Sequence, residues 1–274
     1  MTGLNKAPFF ITSPSLISFK THLLLHFIIN NAFPFFSRRF KIFYYIAKQT
    51  IKLLKMNWDY ILSVTPRFIH ATLMTLHLAF WGILLSLVIG VICAVITTYK
   101  VKSLTWLVKG YIELSRNTPL LIQVFFLYFG LSKIGLKLDG FTCGIIGLAF
   151  LGGSYMAEAI RGGLEAVSKG QIESALSIGL TPFQAFRYVI FPQAFAIATP
   201  AIGANCLFLM KETSVISAVA VAELMFVAKE VIGLDYKTNE ALFLLVVFYL
   251  IILLPMSLFI SYLERRTRRA KYGA

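Results

Sequence analysis

Long apolar stretches recur along this chain, and they constrain its fold more than any other feature. Hydropathy predicts five spans, each close to the roughly 20 residues that a helix needs to cross a bilayer. They cover about residues 71–98, 119–136, 141–160, 189–210 and 241–262. Because lipid offers no hydrogen-bond partners, the backbone of such stretches must satisfy itself, which favours helices. The sequence therefore predicts an all-α, polytopic membrane protein, built as a five-span transmembrane helix bundle.

Composition agrees with this fold class. The chain is 58% hydrophobic and only 14% charged, with a mean hydropathy of +0.78. Soluble domains carry about 25% charged residues. Cys93, Cys143 and Cys206 all lie in apolar segments, without disulfide or metal-site spacing, and are interpreted as packing residues. No G-x-x-x-x-G-K-[ST], H-E-x-x-H or G-x-S-x-G pattern occurs, so we expect neither enzymatic activity nor a cofactor bound by this chain.

Two spans carry prolines at informative places. Thr118 and Pro119 are predicted to open the second span as cap and first helical residue. Pro192 and Pro200 are predicted to interrupt the fourth span, which is therefore the best candidate for a wall of a transport pathway. The amphipathic stretch 103–117 precedes the second span, and we expect it to lie at the membrane interface.

A polar segment, residues 158–192, separates the third and fourth spans. Ser168 to Gln171 and Thr181 to Gln184 each have the form of a capping box, so helices should begin near Lys169 and Pro182. Gly179 lies where the first helix needs a left-handed residue at its end, and the second helix should end near Pro192. Such a helix pair suits a loop that docks on a soluble partner. From local chemistry alone, a well-capped connecting loop explains it equally well.

Charge predicts the orientation of the bundle. If the polar segment is cytoplasmic, inner segments hold twelve Lys and Arg residues and outer segments six. This follows the positive-inside rule and predicts an outer segment 56–70 and a basic cytoplasmic tail 263–274. The net charge of +14 thus reflects membrane topology rather than nucleic-acid binding.

Residues 1–55 break that pattern, because they hold eight basic residues and no acidic ones. They form an additional marginal membrane helix, or an amphipathic surface segment, or a stretch that precedes the true translation start at Met56. We favour the start at Met56. The stretch lacks the apolar core and small residues of a signal peptide.

Small and polar residues inside the spans point to helix contacts and to a pathway. Gly82, Ser86, Gly90 and Ala94 recur every fourth residue, as do Ala149, Gly153 and Ala157, and this spacing favours close packing of helices in lipid. Polar residues at membrane depth are costly and often functional. The pathway candidates are Gln123, Gln193, Asn205 and Lys211.

Residues 171–192 resemble the EAA loop of type-1 ABC importer permeases. Glu173-Ser174-Ala175, Gly179 and Val189-Ile190-Phe191-Pro192 follow the pattern E-A-A-x3-G-x9-I-x-L-P, with conservative departures at Ser174, Val189 and Phe191. Residues 113–123 (ELSRNTPLLIQ) are similar to the R-G-T-P-L-L-V-Q signature of the polar amino acid subfamily, with Asn117 in place of its glycine. Residues 155–163 (YMAEAIRGG), 192–194 and 211–214 resemble that subfamily too. The resemblance runs from about Thr65 to the C-terminus.

This resemblance implies a division of labour among subunits. An extracytoplasmic binding protein delivers an amino acid, and two permease subunits, identical or related, form the path through the bacterial inner membrane. A cytoplasmic dimer of ATPase subunits binds the ATP and receives the coupling loop, residues 165–190. The implied coupling residues are Glu173, Ala175, Gly179, Gly170 and Pro192. Glu173 would meet a basic group on the ATPase.

Two other classes of protein stay open on the residues alone. A secondary transporter driven by an ion gradient would need two repeated halves and a carboxylate at mid-membrane, and neither is seen in the sequence. A membrane-anchored interaction protein would explain the polar loop but not the five spans. The substrate expected from the resemblance is a polar amino acid, with glutamine, glutamate or aspartate as the leading guesses.

Overall fold

The computed structural model describes residues 56–99 and 102–272, and within these ranges every regular element is a helix. The helices are α1 (Trp58–Thr98), α2 (Lys102–Asn117), α3 (Leu120–Lys133), α4 (Gly140–Glu165), α5 (Lys169–Ser177), α6 (Pro182–Val219), α7 (Leu224–Asp235) and α8 (Thr238–Tyr272). The alternatives for residues 1–55 fall outside the described residues. The all-α membrane fold is confirmed.

Of the described helices, α1, α4, α6 and α8 are long and apolar enough to cross a membrane. The remaining expected span, residues 119–136, is represented by α3, a shorter apolar helix. It begins at Leu120, one residue after Pro119, and Thr118 makes no cap bond to it. The count of five spans therefore stays a prediction, because α3 by itself is shorter than a straight bilayer crossing.

Helix α1 is much longer than the first predicted span. Its 41 residues begin at Trp58, where the side chain of Asn57 accepts a hydrogen bond from the Tyr60 amide at 3.0 Å. Residues 58–70 thus belong to the span helix rather than to a separate outer segment. Pro66 lies inside α1, where its missing N–H removes one bond without ending the helix. At 1.5 Å per residue α1 reaches about 60 Å, roughly twice the thickness of the hydrocarbon core.

Contacts between helices define their directions. Along α1, successive turns meet successive turns of α4, as Ser86 meets Leu148 and Gly90 meets Met156, so these helices run parallel. Helices α2 and α3 then run past α4 in the opposite direction, and so does α6. Hence the C-terminal ends of α1, α4 and α8 lie at the same end of the bundle as α5 and the start of α6. We call this the loop end.

The amphipathic helix α2 packs on protein rather than only on the membrane surface. Val108 and Ile112 are buried in a cluster with Cys93 of α1 and Ala157 of α4. The Tyr111 hydroxyl donates to the Phe150 carbonyl of α4 at 2.6 Å. Residues 103–117 were expected to lie at the membrane interface. The structure adds that the apolar face of α2 packs against α1 and α4. Together α2 and α3 pack along α4 as one helical segment that is interrupted at residues 118–119.

The small residues of α1 and α4 lie where the two helices touch, as their spacing predicted. A Cβ added at Gly90 would lie 2.4 Å from Met156 Cβ, and one added at Gly153 would lie 2.6 Å from Ile89 Cγ2. Ser86 is fully buried, and its hydroxyl donates to the Leu148 carbonyl at 3.2 Å. These close approaches pack α1 against α4 over several turns.

Helix α6 corrects two expectations about proline. It neither ends near Pro192 nor breaks at Pro192 or Pro200, but runs on to Glu212 and then tightens into a 3-10 segment, Thr213–Val219. A π-helical turn, Phe186–Ile190, precedes Pro192, and the Phe191 amide bonds the carbonyl five residues back. The π turn shifts the hydrogen-bond register just where proline lacks a donor, so the helix continues. Residues 263–272 likewise continue α8 rather than forming a separate tail.

A buried carboxylate begins α7 at the other end of the bundle. Glu223 is fully buried and accepts hydrogen bonds from the amides of Met225 at 2.9 Å and Phe226 at 2.8 Å. Thr75 of α1 accepts from the Leu224 amide at 3.2 Å. Burial raises the pKa of Glu223 to about 7. The Glu223 carboxylate thus caps α7, and one buried hydrogen bond links the start of α7 to α1.

Candidate coupling loop

Helix α5 begins where the sequence predicted, but without the predicted capping box. Ser168 occupies the N-cap position, yet its side chain makes no cap hydrogen bond. Instead the Gln171 amide donates to the Ser168 carbonyl at 3.1 Å. The helix therefore starts through its backbone. Gly170, in its first turn, has no heavy atom near the position of an added Cβ.

Gly179 turns the chain from α5 toward α6. Its φ of +88° lies in the region that only glycine enters cheaply. The Gly179 amide donates to the Leu176 carbonyl at 3.0 Å, and the Leu180 amide donates to the Ala175 carbonyl at 3.2 Å. These two bonds are the Schellman motif that ends many helices. Ala175 is only 4% exposed, so its methyl group is buried. Its carbonyl accepts the second of these two hydrogen bonds.

Helix α6 begins with a complete capping box. The Gln184 amide donates to the Thr181 hydroxyl at 3.3 Å, and the Thr181 amide donates to the Gln184 side-chain oxygen at 2.9 Å. Pro182 occupies the first turn, where its missing N–H costs nothing. The first helix, the glycine turn and the start of the second helix lie where local chemistry predicted them, whereas the second helix does not end near Pro192. The capping box follows directly after Leu180, the last residue of the Schellman turn. Both helix ends at the tip are therefore capped by hydrogen bonds.

The surface of this tip combines a free carboxylate with large apolar side chains. Glu173 is exposed, and within the described ranges no cation pairs with its carboxylate. Ile178 is 79% exposed and Phe183 is 69% exposed. Exposed apolar side chains rimmed by polar residues are typical of protein interaction sites. This surface, lying at the loop end, suits a soluble partner with an apolar groove and a nearby basic group.

The four pathway candidates do not meet in one place. Gln123 uses its amide nitrogen on Ser115 and Thr118, Gln193 donates to the Val189 carbonyl at 3.1 Å, and Asn205 donates to the Tyr155 carbonyl at 3.1 Å. Lys211 is exposed near the far end of α6. The side-chain amides of three of the four candidates thus donate hydrogen bonds to backbone carbonyls of this chain.

A charged cavity of about 790 Å³ opens at the loop end between α1, α2 and α4. The residues that line it are Thr97, Thr105, Lys109, Ile112, Glu113, Arg116, Glu158, Arg161 and Glu165. None of the four pathway candidates is among them. The sequence analysis did not predict that these charged residues face one cavity. The available signal was the presence of Arg and Glu in both segments 113–123 and 155–163.

Ion pairs connect the charges of this cavity. Arg161 Nη2 lies 2.7 Å from Glu158 Oε2, and Arg161 Nη1 lies 2.7 Å from Glu165 Oε2. Both pairs lie within α4. Arg116 of α2 reaches across to Glu158 at 4.0 Å, and its guanidinium carbon lies 5.1 Å from the centre of the Tyr155 ring. Charged residues of α2 and α4 therefore form one contact group.

Comparison with known proteins identifies the family of this chain. The model of the "binding-protein-dependent transport system inner membrane component" family matches residues 86–269, about two thirds of the chain. The chain belongs to this family. The resemblance to ABC importer permeases is thereby confirmed, and the chain is the inner-membrane permease component of a binding-protein-dependent transport system.

Individual relatives carry more specific names. This permease is 40% identical over 185 residues to the probable glutamine ABC transporter permease protein GlnM of Bacillus subtilis, covering 68% of this chain and 86% of the relative. It is 32% identical over 217 residues to the glutamine transport system permease protein GlnP of Escherichia coli, covering 78% and 99%.

Solved structures agree with these relatives. A crystal structure of an amino acid ABC transporter with histidines aligns with a TM-score of 0.72 at 33% identity, covering 78% of this permease and all of that chain. An inward-facing methionine ABC transporter shares the fold, with a TM-score of 0.59 at 21% identity. Neither a secondary transporter nor a mere membrane anchor finds support in these comparisons.

Proposed function

We propose that this chain is the transmembrane permease subunit of an ATP-driven ABC importer for polar amino acids. It forms the translocation path with a second permease, identical or related, in the bacterial inner membrane. The observation that carries the coupling role is the capped, exposed tip between α5 and α6, with its free Glu173 carboxylate. The relatives named as glutamine and amino-acid permeases support the substrate class.

The tip is the docking site for a cytoplasmic ATPase subunit, and a dimer of such subunits binds the ATP. Ile178 and Phe183 enter an apolar groove of the ATPase, and Glu173 pairs with a basic group beside that groove. Ala175 and Gly179 hold the turn, while Gly170 and Pro192 mark the beginning and end of the coupling segment. With the loop end cytoplasmic, the C-terminus of α8 is cytoplasmic as well. The chain itself catalyses no reaction.

An extracytoplasmic binding protein delivers the amino acid to the opposite end of the bundle. We assign Gln123, Gln193, Asn205 and Lys211 to the neighbourhood of the pathway. The amides of the first three hold backbone carbonyls, so they shape the path, while Lys211 offers a free charge at its far end. Glutamine, glutamate and aspartate are the substrates to test first.

Substitution at Gly179 tests the coupling role. Gly179→Asp adds a side chain in the left-handed region and a negative charge to the tip, so we expect the protein to reach the membrane but lose uptake of labelled amino acids. Gly179→Asn adds a similar side chain without charge, in a residue that tolerates this region, and should keep more uptake.

The assay is ATP-dependent uptake by vesicles over a panel of polar amino acids, together with co-purification of the ATPase subunit. Wild-type uptake by Gly179→Asp would contradict the coupling role. Uptake that follows an ion gradient in the absence of ATP would contradict the ABC mechanism.

A further inference from the structure

Two segments that share no sequence proximity, residues 113–123 and 155–163, meet in the fold. Arg116 lies 4.0 Å from Glu158 and stacks over the ring of Tyr155, with 5.1 Å between the guanidinium carbon and the ring centre. Arg161 holds the Glu158 carboxylate in place through contacts of 2.7 and 3.2 Å. A planar guanidinium can serve a carboxylate and an aromatic face together, which a lysine cannot do equally well.

Neutral hydrogen bonds fasten the same two helices one turn away. The Ser115 hydroxyl lies 2.9 Å from the Phe150 carbonyl and 3.1 Å from the Ser154 hydroxyl, and both serines are fully buried. The Tyr111 hydroxyl shares the Phe150 carbonyl at 2.6 Å. These bonds set the register between α2 and α4 at this level, one turn away from the Arg116 contact.

The end of α2 is tied in turn to α3. Pro119 cannot donate a backbone hydrogen bond, and the Gln123 side-chain amide instead donates to the carbonyls of Ser115 and Thr118, both at 3.1 Å. Any shift of α2 therefore reaches the first turn of α3. On the opposite side, Asn205 of α6 donates to the Tyr155 carbonyl at 3.1 Å. Tyr155 thus touches α2 with its ring and α6 through its backbone.

Both flanks of the coupling loop lead to this point. Helix α4 ends at Glu165, four residues before α5 begins at Lys169, and the second helix of the loop is the first part of α6. A force on the tip enters α4 and α6 together, and these two helices meet at Tyr155.

Stability alone does not explain the Arg116 contact. Its side chain is 42% exposed, that of Glu158 is 32% exposed, and they stand 4.0 Å apart. Exposed ion pairs of this kind contribute little to folding. They rearrange readily, however, because water in the adjacent cavity can solvate either partner. A contact that is weak in one state and easily remade in another suits a moving part.

We infer that Arg116, Tyr155 and Glu158 form a joint that transmits displacement of the coupling loop to the start of α3. They are positioning residues for transport rather than substrate ligands. This inference rests on the proposed function, since it needs an ATPase that moves the loop.

The test uses the full complex of permease, ATPase and binding protein in liposomes. Arg116→Gln removes the charge and the stack. Arg67→Gln is the matched control, because it breaks a 2.7 Å pair with Glu230 of comparable exposure near the opposite end of the bundle. The readouts are uptake, ATP hydrolysis and a fluorescent label on Ile122→Cys, an exposed position in the first turn of α3.

We expect Arg116→Gln to lower the amino acid imported per ATP roughly 3- to 30-fold, while the substrate concentration for half-maximal uptake stays the same. ATP hydrolysis should persist, but the ATP-dependent signal at Ile122 should disappear. Arg67→Gln should match the unchanged chain. Arg116→Lys, which keeps the charge, should recover part of the coupling.

Full coupling and an intact Ile122 signal in Arg116→Gln would overturn the inference. If Arg116→Gln fails to assemble, Arg116→Lys decides: wild-type coupling in an assembled complex overturns the joint, and reduced coupling with hydrolysis retained supports it. A change confined to the half-maximal substrate concentration would also overturn it, since Arg116 would then be a ligand. Absence of ATP-dependent uptake in the unchanged chain is seen before any substitution and overturns the proposed function itself.

Discussion

Gly90→Ala tests whether the contact between α1 and α4 organises the bundle. The added Cβ would lie 2.4 Å from Met156 Cβ and 3.0 Å from the Ala157 backbone nitrogen. Neither atom can rotate away, because one is a backbone atom and the other is fixed to the backbone. Ordinary contact begins at 3.4 Å, so the helices must separate locally by about 1 Å.

The expected cost follows from two opposing effects. Overpacking of a close contact costs about 1–3 kcal/mol. Alanine in place of glycine within a helix recovers about 1 kcal/mol. The net destabilisation of Gly90→Ala is therefore about 0–2 kcal/mol, and it is best measured against a substitution that has only the second effect. Gly162→Ala is that control, since Gly162 lies in α4 with no atom near an added Cβ.

The assay is unfolding of the purified permease in detergent, followed by helical circular dichroism for both variants. Gly162→Ala should be as stable as the unchanged chain or slightly more so. Gly90→Ala should fall below Gly162→Ala by about 1–3 kcal/mol. Equal stability of the two variants would refute the reasoning, because it would mean that α1 and α4 are free to separate at Gly90.

Two further predictions concern helix starts. Thr181→Ala removes one half of the capping box at α6 and should cost about 1 kcal/mol, whereas Ser168→Ala, which removes no cap bond, should cost only a few tenths; hydrogen exchange at the first amides of α6 and α5 measures both. For Glu223, whose pKa burial raises to about 7, the folded state holds its proton more tightly than the unfolded state, which has a pKa of about 4.3. Stability should therefore fall as the pH rises from about 4.3 toward 7 and level off above it, and Glu223→Gln should abolish this dependence in unfolding experiments; an unaltered pH profile in that variant would contradict the assignment.

The sequence predicted best where local chemistry acts alone. Thr181 and Gly179 fix helix ends through hydrogen bonds to residues three positions away, and Pro182 occupies the first helical turn; all three lie as predicted. Pro192 misled for the same reason. Its usual effect assumes regular hydrogen bonding, and the π turn at Phe186–Ile190 alters that register, which no local rule at Pro192 signals.

Contacts between residues that are far apart in the chain could not be predicted from the sequence. The stretch 103–117 was predicted to lie at the membrane interface, yet Lys109, Glu113 and Arg116 line a cavity walled partly by α4. Amphipathicity shows that the two faces of a helix lie in different environments, but not whether water, lipid headgroups or other helices surround each face. Likewise, Gln123 and Asn205 were noticed because polar groups are rare in spans, and only the fold shows that they hold the carbonyls of Ser115 and Tyr155.

The segment proposed for coupling has regularly capped helix ends at its tip and irregular hydrogen bonding at its base. This difference in hydrogen bonding bears on where the segment can bend. At the tip, the Schellman bonds around Gly179 and the capping box at Thr181 hold both helix ends with a single residue between them. At the base, the π turn and Pro192 leave α6 with fewer regular backbone bonds, and the Gln193 side chain adds a hydrogen bond to the Val189 carbonyl. Bending therefore concentrates below the tip, within Phe186–Pro192, while α5 stays attached to α4 through a short link. If the proposed coupling role is correct, a displaced tip moves α4 through the short link at residues 166–168 and moves α6 through this base.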